Sequence, residues 1–145
     1  MHAYTYSGHP MCCAVGLANI EIMEKERLWE RSARLGTRLY QGLLQLQKEL
    51  PAIGDVRGGK GLIAGAELVS DRTTKAGFPP DQKVGLRIRR DMEKRGLVTR
   101  IRSMPLPDGT VSESIFFSPP LVITEQQIDR MLEITRESIK AVLPG

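Results

Sequence analysis

Aromatic residues make up only 5% of this 145-residue chain, too few for the rows of stacked rings that hold single-stranded nucleic acid. The net charge of +4 is small, and its arginines are scattered among acids rather than gathered on one segment. A nucleic-acid binder concentrates its charge, so no nucleic-acid partner is expected and the basic residues read as solvated helix faces. Cysteine is equally scarce. Cys12 and Cys13 are adjacent and lack the Cys-x-x-Cys spacing of a zinc or dithiol site, which makes them small apolar core residues of a reducing compartment. The two histidines, His2 and His9, have no acid or cysteine at ligand spacing, so no metal site is expected. No apolar run approaches the ~20 residues of a membrane span, and no charged-then-apolar leader opens the chain. A cytoplasmic protein with no membrane partner is the expectation. Two catalytic signatures are missing as well. Ser7-Gly8-His9-Pro10 is not the Gly-x-Ser-x-Gly elbow of a hydrolase, and Gly58-Gly59-Lys60 runs into Gly61 rather than the Ser or Thr of a phosphate loop.

What is present suffices for a folded unit. Hydrophobic residues form 41% and charged residues 26% of the chain, an ordinary globular balance. Pro10 suits the first turn of a helix, and Met11 to Met23 is apolar on nearly every side. Such a helix is expected to be buried all round, by this chain or by a partner. Leu28, Leu35, Leu39, Leu43, Leu46 and Leu50 recur at helical spacing and predict an amphipathic helix, closed by Pro51 and Gly54. Ile53 to Val69 turns glycine-rich and β-branched, as two strands or one bent strand with a bulge. A loop over Ser70 to Gln82, a helix from about Asp81 to Arg95 and a strand over Leu97 to Ile101 follow. Ser103 to Ser114, with Pro105, Pro107 and Asp108-Gly109, reads as an excursion before a short strand at Ile115 to Phe117. Thr124 and Gln127 form a capping box, with Ile123 and Ile128 as a hydrophobic staple. The helix they start presents Ile128, Met131, Leu132, Thr135, Ile139, Val142 and Leu143 on one face, and Pro144 stops it. A boundary near residue 50 separates a first part without a complete core from an α+β unit of strands and covering helices.

Two places invite chemistry, each with an ordinary alternative. Tyr4-Thr5-Tyr6-Ser7-Gly8 sets hydroxyls and small residues ahead of a helix, where backbone amides and the Thr5 hydroxyl suit an anion such as phosphate; spacing alone favours a simple turn leading into the helix. Arg100 lies in or at the end of an apolar strand, where an arginine needs a partner or ligand. Its planar guanidinium suits a carboxylate, and the alternative is an edge-strand arginine reaching water or a nearby acid.

Four segments in order resemble class III, pyridoxal-phosphate-dependent aminotransferases. Thr5-Tyr6-Ser7-Gly8-His9-Pro10 with its Ala- and Cys-rich helix is similar to the segment those enzymes carry after their catalytic lysine. Asp55-Val56-Arg57-Gly58, Lys60-Gly61-Leu62 and Glu67-Leu68 resemble the glycine-rich start of their C-terminal domain. Arg95-Gly96-Leu97-Val98-Thr99-Arg100 is similar to the next strand, and Ser118-Pro119-Pro120-Leu121-Val122-Ile123-Thr124 to the run before the last helix. The resemblance spans essentially the whole chain. The glycine run is one residue longer than the usual form, and the 102–114 segment varies in length among relatives.

The resemblance implies the C-terminal part of a fold-type I transferase of α+β class. Residues 1–50 would be the end of the large cofactor domain with its connecting helices, and 51–145 a small domain whose short, mainly antiparallel sheet is covered by helices. It implies pyridoxal 5'-phosphate as cofactor and a homodimer. Thr5, assisted by the backbone around Tyr4, would bind the phosphate across the dimer interface. Arg100 would grip a substrate carboxylate as amino groups pass between an amine or ω-amino acid and a 2-oxo acid such as pyruvate. The chain contributes no catalytic residue by this reading. Lys25, Lys48, Lys60, Lys75, Lys83, Lys94 and Lys140 do not match the Schiff-base lysine, which falls ahead of Met1 with the aspartate that pairs the pyridine nitrogen. The chain by itself is therefore expected not to transaminate. The alternative is a non-catalytic structural or interaction domain left from a truncated aminotransferase gene.

Overall fold

A computed structural model describes residues 5–143. His2, Tyr4 and Pro144 lie outside the described residues. Helix α1 (Pro10–Lys25) leads into α2 (Leu28–Glu49), with Arg27 in a left-handed conformation between them. All six expected leucines are buried, and Leu39, Leu43 and Leu46 are sealed completely. Their spacing forms one apolar stripe on α2, and burying each contributes roughly 1.5–3 kcal/mol.

Helix α1 departs from expectation. None of its residues is buried: Cys12 and Cys13, expected in a core, are exposed, and Met11, Val15, Leu17, Ile20 and Ile22 remain at least half exposed. The sequence pattern shows that this helix seeks apolar cover on all sides, and the described residues do not supply it.

Strands β1 (Ile53–Arg57) and β2 (Ala64–Leu68) form an antiparallel pair joined by the glycine run, with an irregular register between Ile53 and Asp55. Strands β3 (Arg100–Pro105) and β4 (Val111–Phe117) form a hairpin, and the four strands order as β1-β2-β4-β3, antiparallel throughout. This hairpin corrects two expectations. Leu97 to Thr99 is not strand: Gly96 follows α3 with φ +90°, and the chain drops Leu97 into the core before pairing begins at Arg100. The segment taken for an excursion is mostly the hairpin itself. Proline is tolerated on an edge strand, where its missing N–H faces away from the ladder, so Pro105 ends β3 without breaking the sheet. Asp108 Oδ1 accepts from the Thr110 amide at 2.9 Å and Gly109 adopts φ +83°, closing the turn.

A short 3-10 turn (Pro80–Gln82) precedes α3 (Val84–Lys94), so the single helix expected from Asp81 is divided at Lys83, which is left-handed. Helix α4 (Glu125–Val142) starts at the expected capping box: the Gln127 amide donates to Thr124 Oγ1 at 3.2 Å and the Thr124 amide to Gln127 Oε1 at 2.9 Å. Helices α2, α3 and α4 cover one sheet face, and Leu39, Leu68, Ile88, Ile115, Phe117 and Ile128 meet in the core.

The α2 arginines are not simply solvated. Arg38 donates to both carboxylate oxygens of Asp129 at 2.9 and 2.7 Å, Arg34 pairs with Glu125, and Arg31 donates to the Ile123 carbonyl at 2.7 Å. They dock the acidic start of α4. Arg38 holds the Asp129 carboxyl below its ordinary range, and Arg95, at 2.6 Å, does the same to Asp91. A depressed acid stabilises the fold above its unfolded pKa, and that contribution is lost as pH falls through the folded value. The melting temperature should therefore stay level from neutrality to about pH 5 and fall below about pH 4, less steeply in Arg38→Gln. A level profile down to pH 2 would remove these pairs as contributors.

Candidate functional site

The segment ahead of α1 is a turn. The His9 amide donates to the Tyr6 carbonyl at 3.1 Å, and Gly8 sits at φ +72°, a conformation that favours glycine. The Tyr6 and His9 rings meet edge to face, with centroids 6.3 Å apart. His9 gives α1 no side-chain cap, Pro10 occupies its first turn and no acid lies there. The first amides of a helix lack partners within it, so the positive end of a 16-residue helix is left without a local counter-charge. Thr5, exposed, stands in the turn just before it. A hydroxyl beside such amides suits a phosphate dianion. Tyr4, named with it from the sequence, lies outside the described residues.

Arg100 opens β3 at the sheet edge and is exposed. It pairs in register with Phe116, while the next residue, Ile101, faces Ile115 in the core. Because strand residues alternate faces, Arg100 and Phe116 share the side of the sheet away from the helices. The backbone on either side fixes this place. Thr99 donates its hydroxyl to the Phe116 carbonyl, continuing the attachment of the chain to β4 where the strand pairing stops. Arg100 also borders a groove of about 760 Å³ formed with Phe116, Pro119, Gln127, Arg130 and Met131. Among the described residues it makes no ion pair. A guanidinium so placed can present its fork of donors to a carboxylate.

Thr5 is not part of the groove that Arg100 borders, so the structure does not gather the two candidates into one pocket. A second groove, of about 520 Å³, runs over the outer sheet face between Arg57, Ile63, Glu67, Met104, Ser112 and Phe116. None of these was expected as a site residue, and Ser112 fell in the segment read as an excursion, so the two-faced strand Val111–Phe117 was not foreseen. No set of three metal-ligating side chains is grouped among the described residues, and no described helix is long and apolar enough to cross a membrane.

A helix-covered antiparallel sheet led by a long helix pair is the architecture this chain shares with solved transaminases. The chain belongs to the aminotransferase class-III family, whose sequence model matches residues 1–139. It is 35% identical over 142 residues to the uncharacterized aminotransferase y4uB of Sinorhizobium fredii, covering 98% of this chain and 29% of that protein. It is 38% identical over 138 residues to the adenosylmethionine-8-amino-7-oxononanoate aminotransferase of Anoxybacillus flavithermus, covering 95% and 28% respectively. Among solved structures, it matches a thermostable (S)-enantioselective ω-transaminase from Thermomicrobium roseum with a TM-score of 0.83 at 40% identity, over 99% of this chain and 30% of that one. The chain thus spans about three tenths of the length of the relatives it matches.

Proposed function

We propose that this chain is the part of a pyridoxal-phosphate-dependent aminotransferase that binds the carboxylate of one substrate and the phosphate of a neighbouring subunit's cofactor. The parent reaction moves an amino group between an amine or ω-amino acid and a 2-oxo acid such as pyruvate. The observation that carries this reading is the placement of Arg100: an exposed guanidinium at a strand start, beside a groove, with no acid paired to it among the described residues. Family membership supports the reaction class.

The described residues fit the phosphate end of the cofactor and nothing further along it. Thr5 offers a hydroxyl, and the uncapped start of α1 offers amides and a positive helix end. When bound, pyridoxal phosphate carries the amino group between the two substrates. The chain's own residues hold and orient: Thr5 and the α1 amides take the phosphate, and Arg100 turns the carboxylate of the incoming acid. Tyr4 belongs to the proposal through its backbone. No lysine of this chain is assigned the covalent role, so the 145 residues alone are expected to give no amine- and pyruvate-dependent turnover.

The same reading divides the chain near residue 50. Residues 1–50 close the large domain and connect it to the small one, and 51–145 form the small domain, onto whose core α2 packs its leucines. It makes the working protein a homodimer of fold type I in the cytoplasm. The bare apolar surface of α1 is what such an assembly would cover. It also favours the second reading, an interaction module whose partner seats on α1, and activity separates the two.

The test splices this chain in place of the matching segment of the Thermomicrobium roseum transaminase. A dimer that retains cofactor and consumes amine and pyruvate supports the proposal. A folded, cofactor-loaded dimer with no turnover sinks the substrate half of it, and a folded splice that loses cofactor sinks the phosphate half.

A further inference from the structure

The core face of β4 carries Glu113, Ile115 and Phe117, all buried, and only the first is charged. Glu113 is 4% exposed, and a carboxylate is rarely sealed to that degree without partners. One partner is Ser103, its register neighbour on β3, whose Oγ donates to Glu113 Oε2 at 2.6 Å. The other side of the carboxylate meets the start of α3. A Cβ built on Gly85, the second residue of that helix, would stand 2.1 Å from Oε2 and 2.6 Å from Cδ of Glu113. The carboxylate therefore occupies the space that a side chain at position 85 would need.

Helix α3 lacks the usual local devices at this end. Its N-cap is Lys83, left-handed at φ 48°, with no side-chain cap, and its first turn holds no acid. A helix start carries partial positive charge and favours an anion nearby. In α3 the group that lies against this start is the carboxyl of Glu113, from strand β4.

We propose that Glu113 is a positioning residue that ties the β3–β4 hairpin to the start of α3, matched to a glycine at 85 that leaves room for it. The tie runs from the helix through the carboxylate to Ser103. It holds the edge strand that Arg100 begins, three residues before Ser103. The functional consequence rests on the proposed role of Arg100; the tie itself does not.

The experiment is a double-mutant cycle by urea denaturation on the 145-residue chain, with Gly85→Ala, Glu113→Ala and the double variant. In the native background, Gly85→Ala should lower the folding constant by roughly three- to tenfold, since the methyl drives the buried Glu113 carboxyl from its place beside Ser103. In the Glu113→Ala background, the same substitution should raise it by about threefold, because the space is vacated and alanine is the better helix former. The same effect in both backgrounds would overturn the pairing. Glu113→Gln keeps the size and removes the charge, and serves if Glu113→Ala does not fold. By hydrogen exchange it should speed the first turn of α3 and the β3 amides and leave α2 and β1 unchanged; a uniform change would overturn the local tie. In the spliced enzyme, Glu113→Gln should raise KM for pyruvate severalfold with Arg100 present and have no such effect in Arg100→Ala. An Arg100→Ala variant that is itself indistinguishable from the parent refutes the reading of Arg100 and leaves the cycle to decide the tie. An equal Glu113→Gln effect with and without Arg100 overturns the positioning.

Discussion

Gly36→Ala is expected to lower the unfolding free energy by about 1–3 kcal/mol, the usual range for forcing an extra methyl into a packed site. Helix propensity alone argues the other way, since alanine in a helix interior is better than glycine by up to ~1 kcal/mol. Packing decides the sign. A Cβ on Gly36 would lie 2.0 Å from the carbonyl oxygen of Gly61 and 2.2 Å from its carbonyl carbon. The obstacle is backbone, and no rotamer relieves it. Nor can the loop simply retreat. Gly61 is held at φ +104°, the next residue Leu62 is buried, and the Leu62 amide donates to Ser32 Oγ on the same helix at 3.3 Å. Gly16→Ala in α1 is the matched control: nothing lies within 4 Å of its Cβ position, so that change should be neutral or mildly stabilising. Urea denaturation of both variants reads the difference directly. A Gly36→Ala protein as stable as the Gly16→Ala protein would show that α2 and the 58–61 loop are not in the close contact described.

The glycine run, which the sequence marks as peculiar without giving its cause, holds Gly59 at φ +90° and Gly61 at φ +104°, backbone that favours glycine. Spacing identified the buried leucines of α2, and a local chemical pattern identified the cap of α4; both signals are complete within a few turns of chain. What eluded the sequence depends on residues far apart. The α2 arginines look like a solvated stripe until α4 folds back and places Asp129 against Arg38 and a carbonyl against Arg31. Glu113 fell in the segment read as an excursion, which reveals neither its strand nor the helix start against it. The β3–β4 hairpin was hidden because Pro105 and Pro107 read as breakers, whereas β3 lies at the sheet edge and admits proline there. Helix α1 is the opposite case. Its composition led to an expectation of burial on all sides that the described residues do not meet. The candidate site was legible in still smaller part. Thr5 and Arg100 were weak signals by residue chemistry and gained roles only from the family resemblance. The groove beside Arg100 draws on residues from 96 to 134, which no short motif contains.

In the spliced enzyme, Arg100→Ala should raise KM for pyruvate by roughly 30- to 150-fold, the loss expected when a charge-assisted hydrogen-bonded pair worth about 2–3 kcal/mol is removed. The effect should fall on the acid substrate. An amine donor without a carboxylate has nothing for the guanidinium to hold, so its reaction with cofactor should keep its rate. Arg100→Lys should recover only part of the loss, because an ammonium is a point charge and cannot meet both carboxylate oxygens with a rigid fork. The Thr5→Ala variant provides the contrast. It removes a hydroxyl from the proposed phosphate site and should speed cofactor loss on dilution while leaving the KM for pyruvate of the loaded enzyme nearly unchanged. The two substitutions therefore separate along different observables, acid affinity for one and cofactor retention for the other. Equal pyruvate KM in Arg100→Ala and its parent would take Arg100 out of the substrate site. Its place at the open edge of β3 would then be that of an ordinary surface arginine, with its guanidinium in water.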